Sequence, residues 1–347
     1  MLTLSEYLMR TVAGVSGHQL LRPKYLVIES TSHCQLDCEV CGATAARCSR
    51  RRGLMDWGLF QHLAEEAVRL RPERVCLHAF GEPLLHPRIV DMAALLSSRG
   101  LKTELVTNGE LLTPTLARQL RHAGLFELGI SHPNVSPQNY QACRGTPPPD
   151  GLDQRIAEAV AEWDGHDRQV SIRCLVIKKL LSPGAEETAV YLSRWLNTPG
   201  VSVAAFHGYL PWPKHVCPEL IDFLLARARR CVVGTRSLSV LWDGVVTPCS
   251  YDVDAELAIG QAPKDSLVAL YNGAALRKLR RCWMRRSRLP ALCQHCLIPR
   301  CPTPAVWIGR REWSERMALG EAQKLIWLGE TAKLTMQQNQ DIHDDRL

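Results

Sequence analysis

Thr31-Ser32-His33-Cys34-Gln35-Leu36-Asp37-Cys38-Glu39-Val40-Cys41 follows a predicted first strand, Tyr25 to Glu29. Three cysteines at Cys-x3-Cys-x2-Cys can bring their thiolates to one small centre. A structural zinc site wants four closed ligands, so three soft thiolates with no fourth nearby suit an iron–sulfur cluster better. A [4Fe–4S] cluster held at Cys34, Cys38 and Cys41 keeps one iron open to a further ligand.

The 347 residues suffice for one large domain and a smaller one. At 46% hydrophobic and 22% charged residues the composition is that of a globular chain. Its apolar windows fall short of the roughly 18 residues that span a bilayer. Met1 to Arg10 carries Glu6 and no long apolar run, so no secretory signal is read and a cytoplasmic location, with no membrane, is expected. Fourteen cysteines in clusters then point to metal ligation rather than disulfides. The net charge of +7 gathers partly at Arg47, Arg50, Arg51 and Arg52 and at Arg280, Arg281, Arg285, Arg286 and Arg288. Such runs suit a solvated face, an anionic substrate or an acidic electron donor such as flavodoxin or ferredoxin. No nucleic-acid module accompanies them, and nucleic acid is not expected as a partner.

From Tyr25 the pattern alternates strand and helix, which predicts a parallel α/β domain. Strands are predicted at Tyr25–Ser30, Arg74–Ala79, Thr103–Val106, Glu127–Ser131, Val170–Ile177 and Val201–Phe206. Asp56 is placed to cap a helix running to Leu70, and Pro87 and Pro114 fall at the first turns of the next two. Cys76, Cys174 and Cys217 lack partners at ligand spacing and read as small buried hydrophobes. Phe206 to Pro213 reads as a loop that lines a pocket or merely ends a strand.

Later in the chain, Cys231 is followed by twelve residues, Gly244, four residues and Cys249; after 43 more residues come Cys293 and Cys296. Leu238–Trp242 and Val245–Thr247 around Asp243-Gly244 predict a β-hairpin that draws Cys231 and Cys249 together. Four thiolates suit either a zinc ribbon or a fully ligated cluster. Expected boundaries are a lead-in at 1–24, the parallel domain at 25–217, the second cysteine domain at 218–310, and a helix with a polar tail at 311–347.

The first motif resembles the hallmark of the radical S-adenosylmethionine (radical SAM) superfamily, and the second set resembles the twitch form of the SPASM domain. The resemblance implies a partial (β/α)6 barrel followed by a small twitch domain. It implies SAM on the open iron of the first [4Fe–4S] cluster, cleaved to methionine and a 5′-deoxyadenosyl radical that takes hydrogen from a substrate. It also implies an auxiliary [4Fe–4S] cluster on Cys231, Cys249, Cys293 and Cys296, with Cys301 able to replace one ligand. Gly81-Glu82-Pro83 matches the family's Gly-Gly-Glu-Pro loop, with Phe80 at the first glycine. Asn108 lies in a Thr-Asn-Gly motif. Ser131 and Arg144 match residues that contact SAM, Arg144 being suited to its carboxylate. His132-Pro133 replaces the usual Asp-Gly after that serine.

Relatives of this size imply oxidation of a hydroxyl to a ketone on a sugar, aminocyclitol or nucleoside in natural-product biosynthesis. Decarboxylation of a sugar-acid nucleoside is the first alternative and peptide or protein maturation the second; a zinc-stabilised binding module is the non-enzymatic one. No leader-peptide-binding domain fits before Lys24. The position after the second auxiliary cysteine is Ser250, not the aspartate of the sulfatase-maturing relatives. Asp252, His78 and His132 are the acid/base candidates.

Overall fold

The structure, a computed structural model, describes residues 16–19, 22–38, 41–43, 48–132, 136–163, 169–176, 190–191, 193–195, 197–198, 201–207, 231, 233–285, 287–294, 296 and 306–308. The predicted helix at 218–230, the tail helix from Glu312, the loop after His207, Cys217 and Cys301 lie outside these residues.

Six strands, β1 (Tyr25–Ile28), β2 (Arg74–Cys76), β3 (Thr103–Thr107), β4 (Glu127–Ser131), β5 (Gln169–Val176) and β6 (Val201–His207), pair in parallel and in sequence order. Parallel neighbours need a crossover, and helices α1 (Trp57–Leu70), α2 (Ile89–Ser98), α3 (Pro114–His122), α4 (Pro137–Arg144) and α5 (Leu152–Ala161) lie in those between β1 and β5. This is the partial barrel that the alternation and the resemblance lead one to expect.

Period-two alternation sorts the strand residues. Leu26, Ile28, Val75, Leu77, Leu105, Leu128 and Ile130 are fully buried in one core with Phe60, Leu63, Met92, Leu96 and Leu120 from the helices. The intervening positions, including Cys76, Glu104 and Glu127, therefore line the inner face. Asp56 caps α1 by accepting from Leu59 N–H at 3.0 Å. Thr113 caps α3, with Pro114 at its first position. Pro87 does not open the second helix: α2 starts two residues later at Ile89, and the first turn after β2 is a short 3₁₀ helix, Pro83–Leu85.

The predicted hairpin around Asp243-Gly244 forms, its two strands pairing antiparallel, and it joins the barrel sheet. β7 (Ser237–Val240) adds to the free edge of β1 in parallel, and β8 (Val245–Thr247) and β9 (Gly260–Gln261) continue antiparallel. β10 (Val306–Ile308) closes the far edge on β6, giving one ten-stranded sheet among the described residues. Helices α6 (Val233–Arg236), α7 (Leu267–Tyr271), α8 (Ala274–Arg285) and α9 (Ala291–Gln294) surround this extension. Glu66 of α1 accepts from Ser266 Oγ at 2.7 Å and Leu267 N–H at 2.8 Å, so a barrel helix supplies the cap of α7. Among the described residues no helix is long and apolar enough to cross a membrane.

His86, just after the 3₁₀ turn, is buried and held as one neutral tautomer. Its Nε2–H donates to the Met55 carbonyl at 3.1 Å while Nδ1 accepts from Arg88 N–H at 3.1 Å. Burial, with Arg88 adding to it, lowers its pKa. The unfolded chain then binds the proton first, so this contribution to stability is complete above the ordinary histidine pKa and is lost as the pH falls below it. Thermal melts of the cluster-free chain should give a lower Tm at pH 5.5 than at pH 7.5, with the gap narrowed in His86→Gln; an unchanged gap contradicts this.

Candidate cluster sites and the barrel mouth

Cys34, Cys38 and Cys41 lie beyond the C-terminal end of β1, where parallel strands present their loops. Cys41 N–H closes a turn on the Cys38 carbonyl at 3.0 Å. The N–H groups of Leu36 and Ala43 point at Cys34 Sγ and Cys41 Sγ, each at 3.4 Å. Burial pushes the Cys34 thiol up to about 11; Leu36 N–H opposes this, and Glu82, Cys38 and Cys41 push it further. Cys38 and Cys41 both act electrostatically on the Cys34 thiol, as neighbours in one short loop do, and together they would carry three like charges as thiolates. A cationic cluster neutralises that repulsion, so the donor set fits one.

The loop after β2 packs directly on this motif. At Gly81 (φ +99°) a Cβ would lie 2.5 Å from the Thr31 carbonyl oxygen and 2.8 Å from that of His33, so only glycine permits the approach. Glu82 N–H then donates to the His33 carbonyl at 2.8 Å. The Glu82 carboxylate is buried and turned toward the β3 loop: it accepts from Thr107 Oγ1 (2.7 Å), Asn108 N–H (2.7 Å) and Leu84 N–H (3.0 Å). It welds two loops together and Pro83 opens the 3₁₀ turn behind it. Asn108 reaches Cys34 Sγ at 3.9 Å through Nδ2 and accepts from Gln35 Nε2 at 3.2 Å.

Arg144, at the end of α4, is buried. It donates to Cys38 Sγ at 3.4 Å and to both the carbonyl and the hydroxyl of Ser131. Its Nε–H has no partner among the described residues. The guanidinium therefore holds the Cys38 sulfur and retains a donor that fits an anion such as the carboxylate of SAM. Phe80, at the glycine position of the motif, is buried with Leu241 and Val253. Glycine is not needed there because that face meets the extension of the sheet.

The second set converges as well. Burial drives the Cys249 thiol well above its ordinary value, followed by Cys231, Cys296 and Cys293 in turn. Gly234 N–H donates to Cys231 Sγ at 3.4 Å and the Trp283 indole N–H to Cys293 Sγ at 3.3 Å. The Trp283 ring also fills the space that a Gly234 side chain would need. Nothing in the sequence pattern singles out Trp283.

The acid/base candidates separate. Asp252 is fully buried and accepts from Thr247 Oγ1 (2.7 Å), Glu256 N–H (2.8 Å) and Leu257 N–H (2.8 Å), which staples its own loop. His132 lies among Tyr140, Tyr191 and Trp195, with Nε2 at 2.8 Å from Asp153 of α5, on the helix side of the sheet. His78 is on the inner face, where its ring, Cys76 Sγ and a Glu104 oxygen lie within 4.8 Å of one another. Cys76 is thus not a lone hydrophobic thiol. Nor are the basic runs one solvated face. Arg50 makes a bidentate pair with buried Glu29 at 2.7 and 2.9 Å, and Arg280 is fully buried over the Tyr271 ring. A charged residue at the end of an apolar strand, such as Glu29, is the one sequence signal for that pair.

Residues 28–179 match the model of the radical SAM superfamily, and residues 231–297 match that of an iron–sulfur cluster-binding domain, SPASM. A tungsten-containing aldehyde ferredoxin oxidoreductase cofactor-modifying protein of Pyrococcus furiosus is 36% identical over 29% of this chain and 28% of its own length. A PqqA peptide cyclase of Rhizobium meliloti is 28% identical over 57% of this chain and 52% of its own. The chain thus spans about half or less of these relatives. The crystal structure of BtrN in complex with AdoMet and 2-DOIA aligns with 79% of this chain and 92% of its own at a TM-score of 0.52 and 16% identity, a likeness of fold.

Anaerobic reconstitution should load about eight irons per chain, four for each [4Fe–4S] cluster, and about four in Cys34→Ala or Cys293→Ala. Zinc without iron or sulfide contradicts the assignment. A donor to a thiolate stabilises the more negative, reduced cluster. Arg144→Gln and Trp283→Phe should therefore lower the potential of the first and second cluster respectively, by roughly 40 mV for the loss of one hydrogen bond. Unchanged potentials contradict these roles.

Proposed function

We propose, from the premise that this chain belongs to the radical SAM superfamily and carries an iron–sulfur cluster-binding domain behind its barrel, that it oxidises a hydroxyl of a small polar metabolite to a ketone. The substrate class is a sugar, aminocyclitol or nucleoside. The observation that carries this reading is the polar inner wall. Cys76, Glu104 and Glu127 stand side by side in register, with Arg74 paired to Glu127. Such a wall suits a substrate whose whole surface makes hydrogen bonds, and it disfavours an apolar side chain, which leaves those groups unsolvated and unpaired.

When bound, SAM and the two clusters supply one-electron chemistry, a 5′-deoxyadenosyl radical among it. The protein's own part is positioning. Gly81 lets the β2 loop lie against the cysteine motif, Glu82 ties it to β3, and Arg144 with Ser131 presents a fixed donor beside Cys38. Phe80, Leu241 and Val253 close the side of the mouth that faces the second cysteine set and exclude water there. The hydroxyl proton of the substrate needs an acceptor on the inner wall, and Asp252 and His132 do not face it. Arg51 and Arg52 are exposed beside the mouth and suit an acidic electron donor such as a flavodoxin. In this reading 25–217 forms the barrel and 218–310 the auxiliary domain.

Peptide modification is the second reading, favoured by the likeness to a PqqA peptide cyclase. Reduced, reconstituted protein incubated with SAM and carbon-deuterated sugars or aminocyclitols should pass deuterium into 5′-deoxyadenosine and yield a ketone. Deuterium from a labelled peptide alone contradicts the metabolite reading, and carbon dioxide release from a sugar acid replaces oxidation by decarboxylation.

A further inference from the structure

The turn after β3 carries a chain of hydrogen bonds that ends on a cluster cysteine. Gly109 (φ +87°) reverses the backbone, and Glu110 N–H comes back to Asn108 Oδ1 at 2.9 Å. Gln35, the residue after the first cysteine of the motif, donates through Nε2 to Asn108 Oδ1 and to Glu110 Oε2, each at 3.2 Å. From α4 the Tyr140 hydroxyl donates to Glu110 Oε1 at 2.6 Å. One carboxylate oxygen of Glu110 thus takes the cysteine motif and the other takes a helix. Tyr140 is fully buried, and burial with Glu110 beside it raises its pKa, so its hydroxyl stays a donor.

The acceptors fix the sense of this chain. A carboxylate can only accept, so the end of Gln35 that meets Glu110 is its amide nitrogen. The same nitrogen also meets Asn108, so the atom it meets there is the oxygen. That oxygen holds two donors, and the amide nitrogen of Asn108 is left facing Cys34 Sγ, 3.9 Å away. Cys34 also donates its thiol hydrogen to Gln35 Oε1 at 3.9 Å, a contact that belongs to the protonated sulfur and ends when the sulfur ligates a metal. The donors Leu36 N–H, at 3.4 Å, and Asn108 Nδ2 then remain. Asn108 cannot turn its amide over without losing both bonds to its oxygen.

We propose that Gln35, Glu110 and Tyr140 are positioning residues that hold the Asn108 amide with its N–H on the Cys34 sulfur, and so favour the reduced state of the first cluster. A donor to a cluster sulfur stabilises the added negative charge of reduction. The inference rests on the cluster assignment and is independent of the substrate.

The test uses the reconstituted two-cluster protein in reductive titrations followed by electron paramagnetic resonance, the first cluster being the signal that changes when SAM is added. Iron content checks loading, and no substitution used changes the charge. Asn108→Ala should lower the equilibrium constant for reduction of the first cluster about fivefold, roughly 40 mV at 59 mV per tenfold for one electron, and leave the second unchanged. Gln35→Met should lower it about threefold and Tyr140→Phe about twofold. Neither should add to the effect of Asn108→Ala, because both act through that amide; a merely structural role would add. Arg118→Gln, at an exposed ion pair with Glu162 on the outer helices, should match the parent. An unchanged potential in Asn108→Ala overturns the proposal, and a raised half-saturating SAM concentration in its place assigns the amide to SAM instead. Shifts from Gln35→Met or Tyr140→Phe that persist in full beside Asn108→Ala also overturn it. A parent that loads zinc alone overturns the cluster assignment and the positioning roles with it.

Discussion

Three thiolates within one short loop repel one another, and a buried carboxylate beside them adds to the repulsion. That loop can hold them as thiolates only if its backbone is held from outside and their charge is met by a bound cation. Most of the barrel mouth follows from this constraint. Gly81 gives up a side chain so that one loop can brace the motif. Glu82 fixes the next loop through Thr107 and Asn108 and its own loop through Leu84. Arg144 brings a buried positive charge to a cysteine sulfur. The apolar face of the sheet, packed under α1, α2 and α3, provides the rigid base on which these small placements hold.

The same constraint explains why the second cysteine region is fused to the first. β7 extends the barrel sheet from β1, which places the Leu241–Val253 loop against the motif. Glu29 receives Arg50 from the segment after Cys41 and Trp242 N–H from the hairpin. Arg50 Nε also donates to the Val253 carbonyl at 2.9 Å. Ser49 adds two hydrogen bonds to Asp254. Breaking a buried pair by removing one partner costs on the order of 3–5 kcal/mol, and emptying the space of a buried phenylalanine costs a similar amount. The seam is therefore comparable to a large part of a domain's net stability. It makes the two cysteine sets one mechanical unit.

What the sequence disclosed were features with short-range spacing. The cysteine intervals, the Asp56 and Thr113-Pro114 helix starts, and the strand–helix alternation depend on neighbours a few residues away. Gly81 was legible as part of a motif. The second helix opens at Ile89, two residues past Pro87, because a proline favours a helix start nearby without fixing which residue begins it. Arg50, Phe80, His132 and Trp283 act through partners far off in sequence, and each offers locally only a common residue in a common setting. For Arg50 and Phe80 that meaning depends on β7 joining β1, a pairing that no local pattern specifies. Cys76 looked solitary because its companions, His78 aside, come from the neighbouring strand.

The central claim is that three cysteines hold a cluster with one iron left open for SAM. Electron–nuclear double resonance on the reduced protein with SAM labelled by nitrogen-15 and oxygen-17 in its methionine moiety addresses it most directly. Strong couplings to both nuclei are predicted, lost in Cys38→Ala and retained in Cys293→Ala. A cluster signal indifferent to labelled SAM, or couplings that disappear with Cys293 instead, would contradict the account.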